Sequence, residues 1–187
     1  MSDPARITLP ATRESLAGLR AGDEVLLSGT VFTARDATHV RLAAELARTG
    51  ALPYALAGET LFYAGPTPPA AGRPVGSVGP TTAKRMDAWT PRLLEAGIVA
   101  TVGKGARSEA VRRAHAESGA VYFAAVGGAA ALLATHVRSA ETVAYADLGT
   151  EALVRMELVD FPAFVAIDAC GTDLYAAAPT EWRVSQR

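Results

Sequence analysis

Short apolar runs alternate along this chain with stretches of helical period, and Gly- or Pro-rich turns separate them. The first strong run is Glu24-Val25-Leu26-Leu27-Ser28-Gly29-Thr30-Val31-Phe32, entered through the turn signal Ala21-Gly22-Asp23. It predicts a strand in which Gly29 marks a bulge or a close approach of another backbone. Upstream, Ile7, Leu9, Leu16 and Leu19 are spread among polar residues. Beyond Phe32 the period changes. Asp36 is a suitable N-cap, and residues 37–48 put Val40, Ala43, Ala44 and Ala47 on one face with Leu42 and Leu46 beside it, ending at Thr49-Gly50.

The alternation continues. Leu61-Phe62-Tyr63-Ala64 reads as a strand, and residues 67–74 are too rich in proline for helix or central strand, so they predict a long loop. Gly79-Pro80 fixes a turn, and Thr81 or Thr82 can cap a helix that breaks at Trp89 and restarts with Thr90-Pro91 as far as Gly97. Ile98 to Val102 is short and β-branched, as expected of a strand buried on both faces, and ends in Gly103-Lys104-Gly105. Ser108 caps a helix to Ser118-Gly119, Val121 to Val126 form a strand, and Gly127-Gly128 opens an Ala/Leu-rich helix to about Val137. The tail from Leu148 to Asp168 reads as strand-like segments joined by a turn at Asp160 to Pro162. Alternating strands and helices predict an α/β fold, a sheet core flanked by helices, in one folded unit across residues 1–187.

Charge narrows the function classes. Lys and Arg number 18 against 19 Asp and Glu, which leaves no basic footprint for nucleic acid and no polybasic membrane surface. No stretch approaches the ~20 apolar residues of a membrane span. The N-terminal residues lack the apolar run of a signal peptide and Cys170 is the one cysteine, so a cytoplasmic location is expected. His39, His115 and His136 are scattered, so the chain has no zinc-type ligand spacing and cannot hold an iron–sulfur cluster by itself: metal ligands, none.

The chemistry concentrates in residues 76–87, Gly76-Ser77-Val78-Gly79-Pro80-Thr81-Thr82-Ala83-Lys84-Arg85-Met86-Asp87, which read as an anion site or as a plain helix-starting turn. Thr81 and Arg85, one helical turn apart, would face one ligand. Arg35 precedes a helix start whose free N–H groups and dipole favour a negative ligand; it either strengthens such a site or pairs with Asp36 or a neighbouring carboxylate. Lys104, between two glycines at a strand end, either approaches a ligand or is a solvated turn residue. Gly127-Gly128 lacks the third glycine of a dinucleotide fingerprint and the Lys-Ser/Thr of a P-loop, so tight packing accounts for it. Asp168 and Asp173 read as turn aspartates bonded to nearby backbone, and His115 and His136 as structural.

Three segments carry a resemblance. Ser28-Gly29-Thr30-Val31 with Arg35-Asp36-Ala37-Thr38-His39, Gly79-Pro80-Thr81-Thr82 with Arg85-Met86-Asp87, and Gly103-Lys104-Gly105 resemble the C-terminal domain of iron–sulfur-dependent class I fumarate hydratase. That domain also occurs as the separate beta subunit of two-subunit fumarases and of L(+)-tartrate dehydratase. Glu151-Ala152 and Asp160-Phe161-Pro162-Ala163, followed by Asp168 and Gly171, extend the likeness into the tail. The resemblance implies a swivelling β/β/α domain with a mixed sheet core. It implies a hydro-lyase acting on a small dicarboxylate, and a [4Fe-4S] cluster held by a cluster-bearing alpha subunit in a heterodimer or heterotetramer. It implies Arg35, Arg85 and Lys104 as carboxylate-binding cations and Thr81 as the residue that moves the proton next to the carboxylate. Asp36 and His39 would buttress Arg35.

Overall fold

One long antiparallel strand closes a sheet of parallel ones. In the computed structural model, which describes residues 3–178, β1 (Ala5–Leu9), β2 (Glu24–Thr33), β3 (Thr60–Phe62), β4 (Ala100–Gly103) and β5 (Val121–Ala124) lie side by side in chain order and run parallel. β6 (Val137–Ala144) is followed by β7 (Leu153–Ile167), which runs antiparallel to β2 along most of its length and to β5 with its last residues. The strands β2, β3, β4, β5 and β7 therefore form a barrel-like ring. β1 and β6 extend it outside, on β2 and on the first half of β7.

The central parallel strands are buried on both faces, which is why they carry runs of Val, Leu, Phe and Tyr rather than a polar alternation. Val102, Val121 and Phe123 enter one core with Val25, Leu27, Val31, Phe161 and Val165; their neighbours Leu61, Tyr63 and Tyr122 enter a second core. That second core is covered by α2 (Asp36–Thr49), α3 (Thr90–Glu95) and α4 (Glu109–Ser118), through Leu42, Leu46, Leu93, Leu94 and Ala114. The short helices α1 (Arg13–Leu16) and α5 (Ala130–Leu133) pack on the first core through Leu16 and Leu133.

Gly29 combines both expected features. Its φ is +113°, and a Cβ there would lie 2.1 Å from the carbonyl oxygen of Leu9 in β1. The register of β2 on β7 also shifts between Leu27 and Gly29, which marks a bulge.

Five expectations are corrected. β1 and β6 fall where no strand was foreseen. The tail is one continuous strand rather than segments joined by a turn: Asp160, at φ +48°, takes the bulge, and Pro162 lies between the end of the β6 pairing at Leu158 and the start of the β5 pairing at Phe164, where a missing N–H costs no ladder bond. On α2, Thr38, His39, Leu42 and Leu46 are buried while Val40 is 54% exposed, because Thr38 and His39 find polar partners inside and alanines bury little surface. No α-helix starts at Thr81 or Thr82. The backbone of residues 81–83 pairs instead with the end of β4, leaving only a 3₁₀ turn at Ala83–Met86. The helix expected after Gly128 is the single turn α5 and a 3₁₀ turn before β6 takes over at Val137.

Candidate active site

In parallel sheets, side chains that follow the carboxyl ends of strands share one rim, and ligands bind there. Arg35 lies just past β2, Tyr63 and Gly65 past β3, Lys104 past β4 and Gly127 past β5. Residues 64–82 return across the same rim: the Thr81 N–H bonds the Tyr63 carbonyl at 2.6 Å and the Thr81 carbonyl accepts the Lys104 N–H at 3.2 Å. Glu151 stands just ahead of β7, whose start faces the end of β2 through the pair Thr33 and Val154. Topology thus gathers the predicted residues at one end of the ring.

The electrostatics are organised around two carboxylates. Asp36 is the first residue of α2 rather than its cap, a position taken by Arg35 in extended conformation. One oxygen of the Asp36 carboxylate accepts a hydrogen bond from Arg85 Nε at 2.9 Å, and the other lies 2.9 Å from Arg85 Nη2 as an ion pair without hydrogen-bond alignment. Arg85 Nη1 has no partner among the described residues, and the side chain is 51% exposed. Asp36 comes only within 3.9 Å of Arg35, so it orients Arg85 more than the arginine it was expected to buttress.

Arg35 is held by Glu151 instead, Nη2 to Oε1 at 3.5 Å, while Oε2 of the same carboxylate accepts the Ala37 N–H at 2.8 Å. Glu151 therefore caps α2 and aims Arg35 together. Thr38 donates its hydroxyl to the Glu151 carbonyl, fixing the same segment to the helix. Gly65 makes room: a Cβ there would stand 3.0 Å from Arg35 Nη1 and 2.8 Å from the Thr150 carbonyl oxygen. Sequence reasoning assigned Glu151 no role. The signal was a carboxylate ahead of a strand whose start meets the end of β2, and that requires the β2–β7 pairing.

His39 is buried, and Nδ1–H donates to the Arg35 carbonyl at 2.8 Å. Burial, aided by the charge of Arg107, pushes its pKa down to about 4. The ring is neutral, with Nε2 unpartnered beside the rings of Tyr63 and Trp89. Such a histidine fixes Arg35 through its backbone and exchanges no proton with solvent at neutral pH.

Lys104 makes no ion pair among the described residues. Its chain lies along Gly127, where a Cβ would be 3.2 Å from Lys104 Cδ and 3.4 Å from Nζ, so Gly127 serves close packing of the lysine. Thr81 precedes the bridge that Thr82 forms with Lys104, and the α-helical turn that was to align it with Arg85 is absent. None of Arg35, Thr81, Arg85 and Lys104 lines five surface cavities, each of about 250 to 590 Å³. With Arg85 half-exposed and Arg35 and Lys104 partly so, the cations lie on an accessible rim. Asp168 is a backbone-bonding turn residue, as expected, accepting from the N–H groups of Ala21, Cys170 and Thr172.

A family model described as Fumarase C-terminus matches residues 2–178. The chain belongs to the Fumarase C-terminus family. It is 39% identical over 151 residues to the anaerobic class I fumarate hydratase of Escherichia coli K12, a match covering 80% of this chain and 28% of that enzyme. It is 36% identical over 175 residues to the L(+)-tartrate dehydratase subunit beta of the same strain, covering 91% of this chain and 86% of that one. A putative L(+)-tartrate dehydratase subunit beta from Methanocaldococcus jannaschii is 35% identical over 170 residues, with 88% and 87% covered. This Fumarase C-terminus chain thus spans little more than a quarter of the fumarate hydratase and nearly all of the two beta subunits.

The residues present do not fit an iron–sulfur cluster. Such a cluster takes several thiolates, whereas Cys170 is the one cysteine, exposed in the turn after β7. Among the described residues no three His, Cys, Asp or Glu side chains converge on one point. No helix among them is long and apolar enough to cross a membrane.

Proposed function

We propose that this chain is the beta subunit of a two-subunit hydro-lyase that reversibly adds water to fumarate to give (S)-malate. Its [4Fe-4S] cluster belongs to a separate alpha subunit, in a heterodimer or heterotetramer of the cytoplasm. The reading takes residues 1–187 as one such subunit domain, of the swivelling β/β/α type. The observation that carries it is a set of cations on one rim of the sheet, Arg35 past β2 and Arg85 beside it with Lys104 past β4, in a chain matching nearly the whole of two dehydratase beta subunits. It is one wall of a site.

Each group has a distinct task. Arg85, oriented through its Nε edge by Asp36, offers its outer edge to a substrate carboxylate. Arg35, aimed by Glu151, and Lys104, with no carboxylate of its own among the described residues, complete the grip. Removing the proton next to a carboxylate pushes negative charge onto that carboxylate's oxygens, and fixed cations shielded from water lower the barrier. Thr81 carries the proton, and its hydroxyl needs a carboxylate relay from the partner because a free hydroxyl is a very weak base. The substrate's hydroxyl end is left to the alpha subunit.

L(+)-tartrate is the second reading, with oxaloacetate as product after tautomerisation. It is favoured by the length match, since the relatives covered nearly end to end are tartrate dehydratase beta subunits. Arg85→Ala tests the wall common to both. Loss of a charge-assisted fork, ~3 kcal/mol, should lower kcat/KM on order of 10²-fold while assembly with the partner is unchanged. Turnover at the wild-type level would remove Arg85 from the site.

A further inference from the structure

Resting on the reading above, in which Arg85 and Lys104 hold one dicarboxylate, we propose that Arg107 and Asp87 are positioning residues, a buried clamp that fixes the turn carrying Arg85 against the loop carrying Lys104. Residues 81–87 and 104–108 are fastened at two ends. At one end the backbone does it: Lys104 N–H bonds the Thr81 carbonyl at 3.2 Å and Ala83 N–H bonds the Lys104 carbonyl at 2.9 Å. At the other end Asp87 does it, accepting Arg107 Nε on one oxygen and the Ser108 N–H on the other, each at 2.7 Å.

Arg107 extends the clamp in both directions. Its side chain is fully buried, with the guanidinium 5.2 Å from the ring centroid of Tyr63 and 5.1 Å from that of Tyr122. Nη2 donates to the Thr90 hydroxyl at 2.7 Å, which in turn donates to the Met86 carbonyl in the Arg85 turn at 2.9 Å. The Tyr63 hydroxyl meets the same Thr90 oxygen at 3.2 Å. On the other side the Tyr122 hydroxyl donates to the Gly105 carbonyl, next to Lys104, at 2.9 Å. Arg85 stands between the two fastenings, and Lys104 carries the first of them on its own backbone.

A buried ion pair adds little net stability, because desolvation offsets its attraction and a well-packed apolar pair of equal volume does as well or better. Arg107 even leaves Nη1 buried without a partner. What an apolar cluster would not supply is a set of directional bonds that hold turn and loop in one geometry. Misplacement of a binding group by about 1 Å costs on the order of 10²-fold in rate.

The test uses the complex with the cluster-bearing partner and three variants: Asp87→Asn, Arg107→Lys and the nearly isosteric Thr90→Val. The clamp predicts kcat/KM for the dicarboxylate lower by about 10- to 100-fold, carried by a raised KM, with partner binding and cluster absorbance at wild-type levels. In an Arg85→Ala background, Asp87→Asn should add less than about threefold, since its effect passes through Arg85. Full additivity with Arg85→Ala, or kcat/KM within threefold of wild type in every folded variant, overturns the proposal. Where Asp87→Asn or Arg107→Lys does not fold, Thr90→Val decides by the same criteria.

If the wild-type complex turns over neither malate nor L-tartrate, the function reading fails and amide hydrogen exchange judges the clamp. Exchange at Ala83 and Lys104 that is ten or more times faster in Asp87→Asn, or in Thr90→Val if the former does not fold, with Val165 unchanged, supports it. Equal exchange rejects it.

Discussion

Glu151 is the residue whose removal should reveal most about how the site is held. Its carboxylate does two things at once, accepting the Ala37 N–H at 2.8 Å in the first turn of α2 and pairing with Arg35 at 3.5 Å. Loss of a helix cap costs ~1 kcal/mol. The ion pair is partly screened, since both side chains are 24% exposed, and contributes ~0.5 kcal/mol. Glu151→Ala should therefore lower unfolding free energy by ~1.5 kcal/mol, or about 3 to 6 °C in Tm for a chain of this size. Glu151→Gln keeps an oxygen for the Ala37 N–H but loses the charge, so it should cost about half as much. Urea unfolding of the two variants beside wild type measures both. A Glu151→Ala cost below about 0.3 kcal/mol, or a Gln cost equal to the Ala cost, would refute the capping argument.

Two further measurements probe the frame. His39 and His115 are buried and neutral, with pKa values pushed down to about 4 and about 3, first by burial and then by Arg107. In the unfolded chain both titrate near 6.5, so the unfolded state binds more protons below that pH. Their stability contribution is intact above pH 6.5 and is lost as pH falls toward 4, at ~2 kcal/mol each by pH 5. Urea midpoints should drop between pH 7 and pH 5, and His115→Leu should reduce the drop by roughly half; an acid dependence unchanged by that substitution would contradict the assignment. Gly29→Ala should cost at least ~3 kcal/mol, because its Cβ would meet the Leu9 carbonyl oxygen at 2.1 Å. Gly50→Ala, at a positive φ but in open space, should cost only ~1 kcal/mol; equal losses at both positions would refute the close-approach explanation.

Local pattern revealed the elements that pack locally and missed those defined by distant partners. The runs around Phe62, Thr101 and Val121 are apolar because both faces are covered, and that was legible. β1 and β6 are peripheral strands with half-exposed patterns, which one-dimensional periodicity does not separate from loops. Residues 81–87 looked like a helix start because Thr81, Thr82 and Pro80 are suitable for one; pairing with Lys104 overrode that preference. The cations were legible as Arg35, Arg85 and Lys104, but their keepers were not. Asp36 binds Arg85 rather than its neighbour Arg35, Glu151 reaches Arg35 only through the β2–β7 pairing that closes the ring, and Arg107 meets Asp87 across the segments that flank β4.

The central claim is that this chain supplies the carboxylate-binding wall of a two-subunit hydro-lyase. The most direct measurement is the anaerobic dehydration of (S)-malate and of L(+)-tartrate, side by side, by this chain co-expressed with a cluster-bearing partner, and by each chain alone. The account predicts turnover of one or both dicarboxylates by the complex, none by this chain alone, and its loss on Arg85→Ala. A stable complex with an intact cluster and no activity on either substrate, or turnover by this chain alone, would contradict it.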